Sequence, residues 1–93
     1  MDALEFKLTS EILEISIKNG DDEKIKNCLQ KFVSAYDYTV SSTDVSFVKS
    51  AYYFYMRKRP LYSTNQAQMK KIIANVLKRA ALMSPDGDRA KSA

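Results

Sequence analysis

The segment SAYYFYMRKRPLYSTNQ, residues 50–66, gathers four of the chain's six tyrosines around Arg57, Lys58 and Arg59 and one of its two prolines. Tyrosine and arginine offer flat, amphipathic rings and forked N–H donors. These groups are enriched at contact hot spots and can stack on nucleobases. Lys70, Lys71 and Lys78 follow as point charges suited to phosphates or carboxylates. The candidate partner-binding residues are therefore Tyr53, Arg57, Lys58, Arg59, Tyr62, Lys70, Lys71 and Lys78, with the hairpin tip from Tyr55 to Ser63 as their centre. Tyr52 and Tyr55, in line with Val45 and Val48, read instead as core rings whose hydroxyls reach the edge of the fold.

Bond-making chemistry is harder to place. The chain has no histidine and a single cysteine, Cys28, so a histidine acid–base group and the ordinary Cys/His zinc sites are both excluded. No Gly-rich phosphate loop occurs, and no carboxylate interrupts the run from Val45 to Pro85. Glu11 and Glu14 share a helix face, but beside Lys7 and Lys18 they read as solvated charges. The expectation is a protein that is not an enzyme and needs no cofactor, metal or small-molecule substrate.

These residues need elements to hold them. Ninety-three residues make one domain, and two glycines with two prolines leave room for few turns and hence for few, long elements. Leu4, Leu8, Ile12 and Ile15 recur at steps of four and three, an apolar stripe that defines helix one, with Phe6, Leu13 and Ile17 off its line. The alternation in LEISIK also suits a short strand; the αL stop at Asn19-Gly20 favours the helix. Asp21-Asp22-Glu23 caps helix two, whose stripe is Ile25, Leu29, Phe32, Val33 and Tyr36 with Cys28 as a small core residue beside it. TVSSTD links it to helix three, which starts near Asp44, is apolar over two adjoining faces including Phe47, Ala51 and Phe54, and should be the most buried element. Pro60 stops helix three by about Lys58. Ser63-Thr-Asn-Gln66 forms a capping box for helix four, with stripe Met69, Ile72, Ile73, Val76, Ala80 and Met83. Short connections of about two to six residues imply an all-α, antiparallel up-down four-helix bundle over residues 1–84, followed by a flexible tail at 85–93.

Charge divides along the chain. Residues 1–47 hold nine acids and five lysines, a net of −4, and residues 48–93 hold ten basic residues and two acids, a net of +8. Some of the excess suits helix C-termini, and some can pair with the acids of helices one and two. What remains would form a basic surface for an anionic partner.

As a whole the pattern resembles the immunity proteins of pediocin-like (class IIa) bacteriocins, the enterocin A immunity family. EILEISIKNGDDEKIKNCLQKF is similar to that family's passage from first to second helix. DVSFVKSAYYFYMRKRPLYSTNQAQMKKIIANVL is similar to its tyrosine-rich third helix, short basic turn and fourth helix. The resemblance covers the chain to about Met83; SPDGDRAKSA lacks the aromatic residues that often pack the family's C-terminal segment. It implies a cytoplasmic bundle, peripheral at the inner face of the membrane, that protects a bacterium in association with the membrane-embedded mannose phosphotransferase receptor and the bacteriocin. The basic half alone also suits a small nucleic-acid-binding or phage-type regulatory protein, with the same lysines and arginines on phosphates.

Overall fold

The computed structural model describes residues 1–58 and 65–83, the side chains of residues 56–58 and 65–66 excepted. Four helices follow in order: α1 (Ala3–Asn19), α2 (Asp22–Phe32), α3 (Ser42–Lys58) and α4 (Asn65–Met83). They form the antiparallel up-down bundle the spacing implies, with no strand among the described residues. α1 packs chiefly on α2 and α3 on α4, while α2 also reaches α4 across the middle. The turn at Pro60, the Ser63 cap, Arg59, Tyr62 and the tail at 85–93 lie outside the described residues.

Local chemistry explains the helix ends. The Asp2 carboxylate accepts the Glu5 amide at 2.8 Å and caps α1, and that amide holds the carboxyl below its ordinary value. At the other end Gly20 sits at φ 68°, where an L side chain would be strained. Its N–H donates to the Ile17 carbonyl at 3.1 Å and the Asp21 N–H to the Ser16 carbonyl at 2.9 Å, a Schellman closure. LEISIK is therefore helical. Asp21 then accepts the Lys24 amide at 3.2 Å and caps α2, which begins at Asp22 with Asp22 and Glu23 in its first turn.

The link between α2 and α3, residues 33–41, is longer than the connections expected, because α2 stops at Phe32 and leaves Tyr36 in a turn. Side chains stand in for the missing helix bonds. The Gln30 amide donates to the Tyr38 carbonyl at 2.9 Å, and its oxygen accepts the Val40 N–H at 2.9 Å. Ser41 and Asp44 cap each other: the Ser41 N–H donates to the carboxylate at 2.8 Å, and the Asp44 N–H to the serine oxygen at 3.3 Å. α3 therefore starts at Ser42, two residues before Asp44.

The core joins Leu13 and Ile17 of α1, Ile25, Cys28, Leu29 and Phe32 of α2, Val45, Val48 and Tyr52 of α3, and the Met69-to-Ala80 stripe of α4. Three expectations change here. The Leu4, Leu8, Ile12, Ile15 face of α1 is exposed, and the off-line Leu13 and Ile17 are buried, with Phe6 packed against them. α3 is not buried all round, since Tyr53 and Phe54 stand half in water; the two apolar faces span more of the helix than α2 and α4 can cover. Met83, in the last turn of α4, is exposed. Cys28 is a core residue as expected, and burial pushes its thiol up.

Candidate functional site

α4 builds the clearest outward face. Its apolar residues at steps of three and four bury Met69, Ile72, Ile73, Val76 and Ala80, which turns Lys70, Lys71 and Lys78 to solvent together with Ala67, Ala74 and Asn75. Lys71 and Lys78 stand two turns apart on one line, about 10 Å by helical rise, with Lys70 beside the first. None of the three forms an ion pair among the described residues.

Other cations of the basic half are used inside the fold. The Lys49 ammonium meets Asp22 at 2.9 Å, tying α3 to α2. Arg79, near the C-terminal end of α4, lies 3.4 Å from the Asp44 carboxylate and 5.1 Å above the centre of the Phe47 ring. Asp44 is almost completely buried and also accepts the Tyr38 hydroxyl at 2.7 Å. Burial alone would push its carboxyl up. The Ser41 amide, the Tyr38 and Ser41 hydroxyls and Arg79 together outweigh that cost and hold it below the ordinary carboxylate value. The charge division is thus partly internal complementarity, concentrated in these two links.

The aromatic candidates divide similarly. Tyr52 is buried, and its hydroxyl reaches Glu14 of α1 at 3.4 Å. Burial and then the Glu14 charge push it up to about 12. Tyr53 donates its hydroxyl to the Ile17 carbonyl at 3.2 Å and sets its ring edge-on to Tyr52 at 5.6 Å, with the rest of the ring exposed. It therefore stands on the α1 side of α3, apart from the lysine line of α4. Arg57 and Lys58 belong to the last turn of α3, and their side chains, like Arg59 and Tyr62, lie outside the described residues.

Sequence reasoning passed over two surface features. Phe54 is half exposed, edge-on to Tyr55 at 5.7 Å. The outer face of α1 is apolar along its length. Among the described residues no three His, Cys, Asp or Glu side chains converge as a metal site, and no helix is long and apolar enough to cross a membrane. Comparison of the chain with family models, curated proteins and solved structures returns no match.

Proposed function

We propose that this bundle acts by binding a partner rather than by catalysis, and that it is an immunity protein against a pediocin-like bacteriocin. The observation that carries the binding reading is the outer face of α4. There Lys70, Lys71 and Lys78 pair with no acid among the described residues, although Lys49 and Arg79 of the same half are committed to Asp22 and Asp44. Charge held on a rigid helix and not spent inside the fold is available to a partner at little ordering cost. The resemblance supplies the partner class. Its two segments overlap α1 and α2, and α3 and α4, of a four-helix bundle, which supports the likeness at the level of the fold. In this reading the protein works at the cytoplasmic face of the membrane, with the mannose phosphotransferase receptor and the bacteriocin.

The test is protection. Expressed in a sensitive bacterium, the chain should raise tolerance to one or a few members of a panel of pediocin-like peptides. A well-expressed protein that protects against none of them would overturn the immunity reading. The same lysines favour a second reading, a nucleic-acid-binding bundle. That reading predicts retention on heparin and DNA with a steep loss as salt rises, and failure to be retained at low salt would remove it.

A further inference from the structure

The outer face of α1 is apolar for about three turns. Leu4, Leu8, Ile12 and Ile15 are 64, 49, 48 and 58% exposed on the side of the helix opposite the buried Leu13 and Ile17, and Met1, just ahead of the Asp2 cap, is 60% exposed. Together they offer on the order of 500 Å² of apolar surface, a size at which patches on monomers are commonly functional.

The spacing of the stripe has a symmetry of its own. Within the helix the steps from Leu4 through Leu8 to Ile12 run four and four, which reads the same in both directions about Leu8. An isologous two-fold interface requires that property: if one position meets another, the second must meet the first. Two such stripes laid antiparallel about Leu8 set Leu4 against Ile12 and Leu8 against itself, with Ile15 reaching past Leu4 toward the N-terminal end of the other copy. The flanking charges agree. Lys7 and Glu11 lie along one rim of the stripe, and the same two-fold brings Lys7 of each copy to within about 3 Å along the axis of Glu11 of the other, since helices rise about 1.5 Å per residue. Opposite charges then meet twice. The groove between α1 and α2, lined by Leu8, Ile12, Lys31 and Ser34 among others, widens the contact beyond the stripe toward the roughly 800 Å² per partner that specific interfaces bury.

We propose that the occupant of this face is a second copy of the chain, docked α1 to α1, antiparallel, with Leu8 on the two-fold axis. The exposed charges beside the stripe are mixed, Glu5 and Glu11 with Lys7 and Lys18, which disfavours an anionic lipid surface, since that would select for cations.

Sedimentation equilibrium of the full chain, from low to high micromolar concentration, tests this. The wild type should dimerise reversibly. Leu8→Lys should weaken the dimer by about a hundredfold, because the two-fold sets two like charges face to face, while far-UV circular dichroism stays helical. Lys7→Glu should weaken it by about tenfold, and adding Glu11→Lys should restore it, since the double swap keeps opposite signs across the axis. A wild type that stays monomeric throughout overturns the proposal. So does a dimer indifferent to Leu8→Lys, or a monomer that binds phosphatidylcholine vesicles through the stripe. A double swap that does not rescue overturns the antiparallel register.

Discussion

α1 and α4 lie against each other in the bundle, yet they meet water in opposite ways. α4 buries Met69, Ile72, Ile73 and Val76 and presents lysines, its only exposed large apolar side chains among the described residues being Leu82 and Met83 at its end. α1 presents Leu4, Leu8, Ile12 and Ile15 and buries Leu13 and Ile17 among small hydroxyl residues, Thr9, Ser10 and Ser16. The difference teaches that burial follows fit as well as polarity. The Ser10 hydroxyl donates to the Phe6 carbonyl at 2.6 Å and the Ser16 hydroxyl to the Ile12 carbonyl at 2.7 Å, so both are satisfied within their own helix and cost little to bury. The bulkier stripe is left free on the far side.

The sharpest way to break this contrast is to truncate one leucine on each face of α1. Leu13→Ala should cost about 2–5 kcal/mol, the range for a fully buried leucine. Leu8→Ala, half exposed, should change monomer stability by no more than about 0.5 kcal/mol. Urea midpoints measured at a concentration where the protein is monomeric decide the matter. A larger loss at Leu8 than at Leu13 would turn α1 over.

Asp44 marks the boundary between charge used for folding and charge left over. Asp44→Ala removes the reciprocal cap of α3 and strands Arg79, and should cost about 2–3 kcal/mol, below the figure for a fully buried pair because Arg79 is partly solvated. The pH dependence follows from the depressed carboxyl. Its contribution is fully present above the ordinary carboxylate pKa, about 4, and is lost as pH falls through the lower value of the folded state. An Asp44→Asn variant should therefore lack part of the acid limb of the wild-type stability curve. Parallel acid limbs would show that Asp44 is not the group that titrates.

Tyr52 sharpens the comparison from the alkaline side, since it joins α3 to α1 beneath the face in question. With its hydroxyl pushed up to about 12, its contribution is complete below about pH 10, the ordinary tyrosine value, and is lost as pH rises toward 12. Tyr52→Phe should cost about 1 kcal/mol at pH 7 through the lost Glu14 hydrogen bond and should flatten the stability curve between pH 10 and 12. Equal slopes for the two proteins would place the alkaline titration elsewhere.

Most of the fold was legible because local signals agreed with one another. The helix end at Gly20, the start of α2 at Asp21 and the Met69-to-Ala80 stripe each follow from chemistry within a few residues. The outcome at α1 was not legible in the same way. A 3.6-residue period defines a face, but which of two faces goes inside depends on the neighbours, and α1 carries an apolar line on both sides. The candidate site was half legible. Composition marked the basic half, but only the structure separates Arg79 and Lys49, drawn to acids distant in sequence, from Lys70, Lys71 and Lys78. The Ser41–Asp44 cap was missed, since the sequence reading started α3 near Asp44 rather than at Ser42; that the same carboxylate also receives Tyr38 and Arg79 depends on the folded packing.

The smallest expected effect on stability is also the one that bears most on function. Lys71→Glu with Lys78→Glu places two acids on a face of α4 that holds no described ion pair, so the urea midpoint should correspond to a change within about 0.5 kcal/mol. New attraction to Lys70 beside Lys71 and the loss of two like charges work in the same mild direction, as exposed pairs do. If α4 is the partner-facing counterpart of the apolar α1 face, the same variant should abolish protection, or retention on heparin, while the α1 dimer persists unchanged. A loss of more than about 1 kcal/mol would mean that the lysines hold the bundle together as Arg79 does. Protection and heparin retention both intact would move the contact surface off α4 and leave the exposed aromatic side of α3, at Tyr53 and Phe54, as the face to vary next.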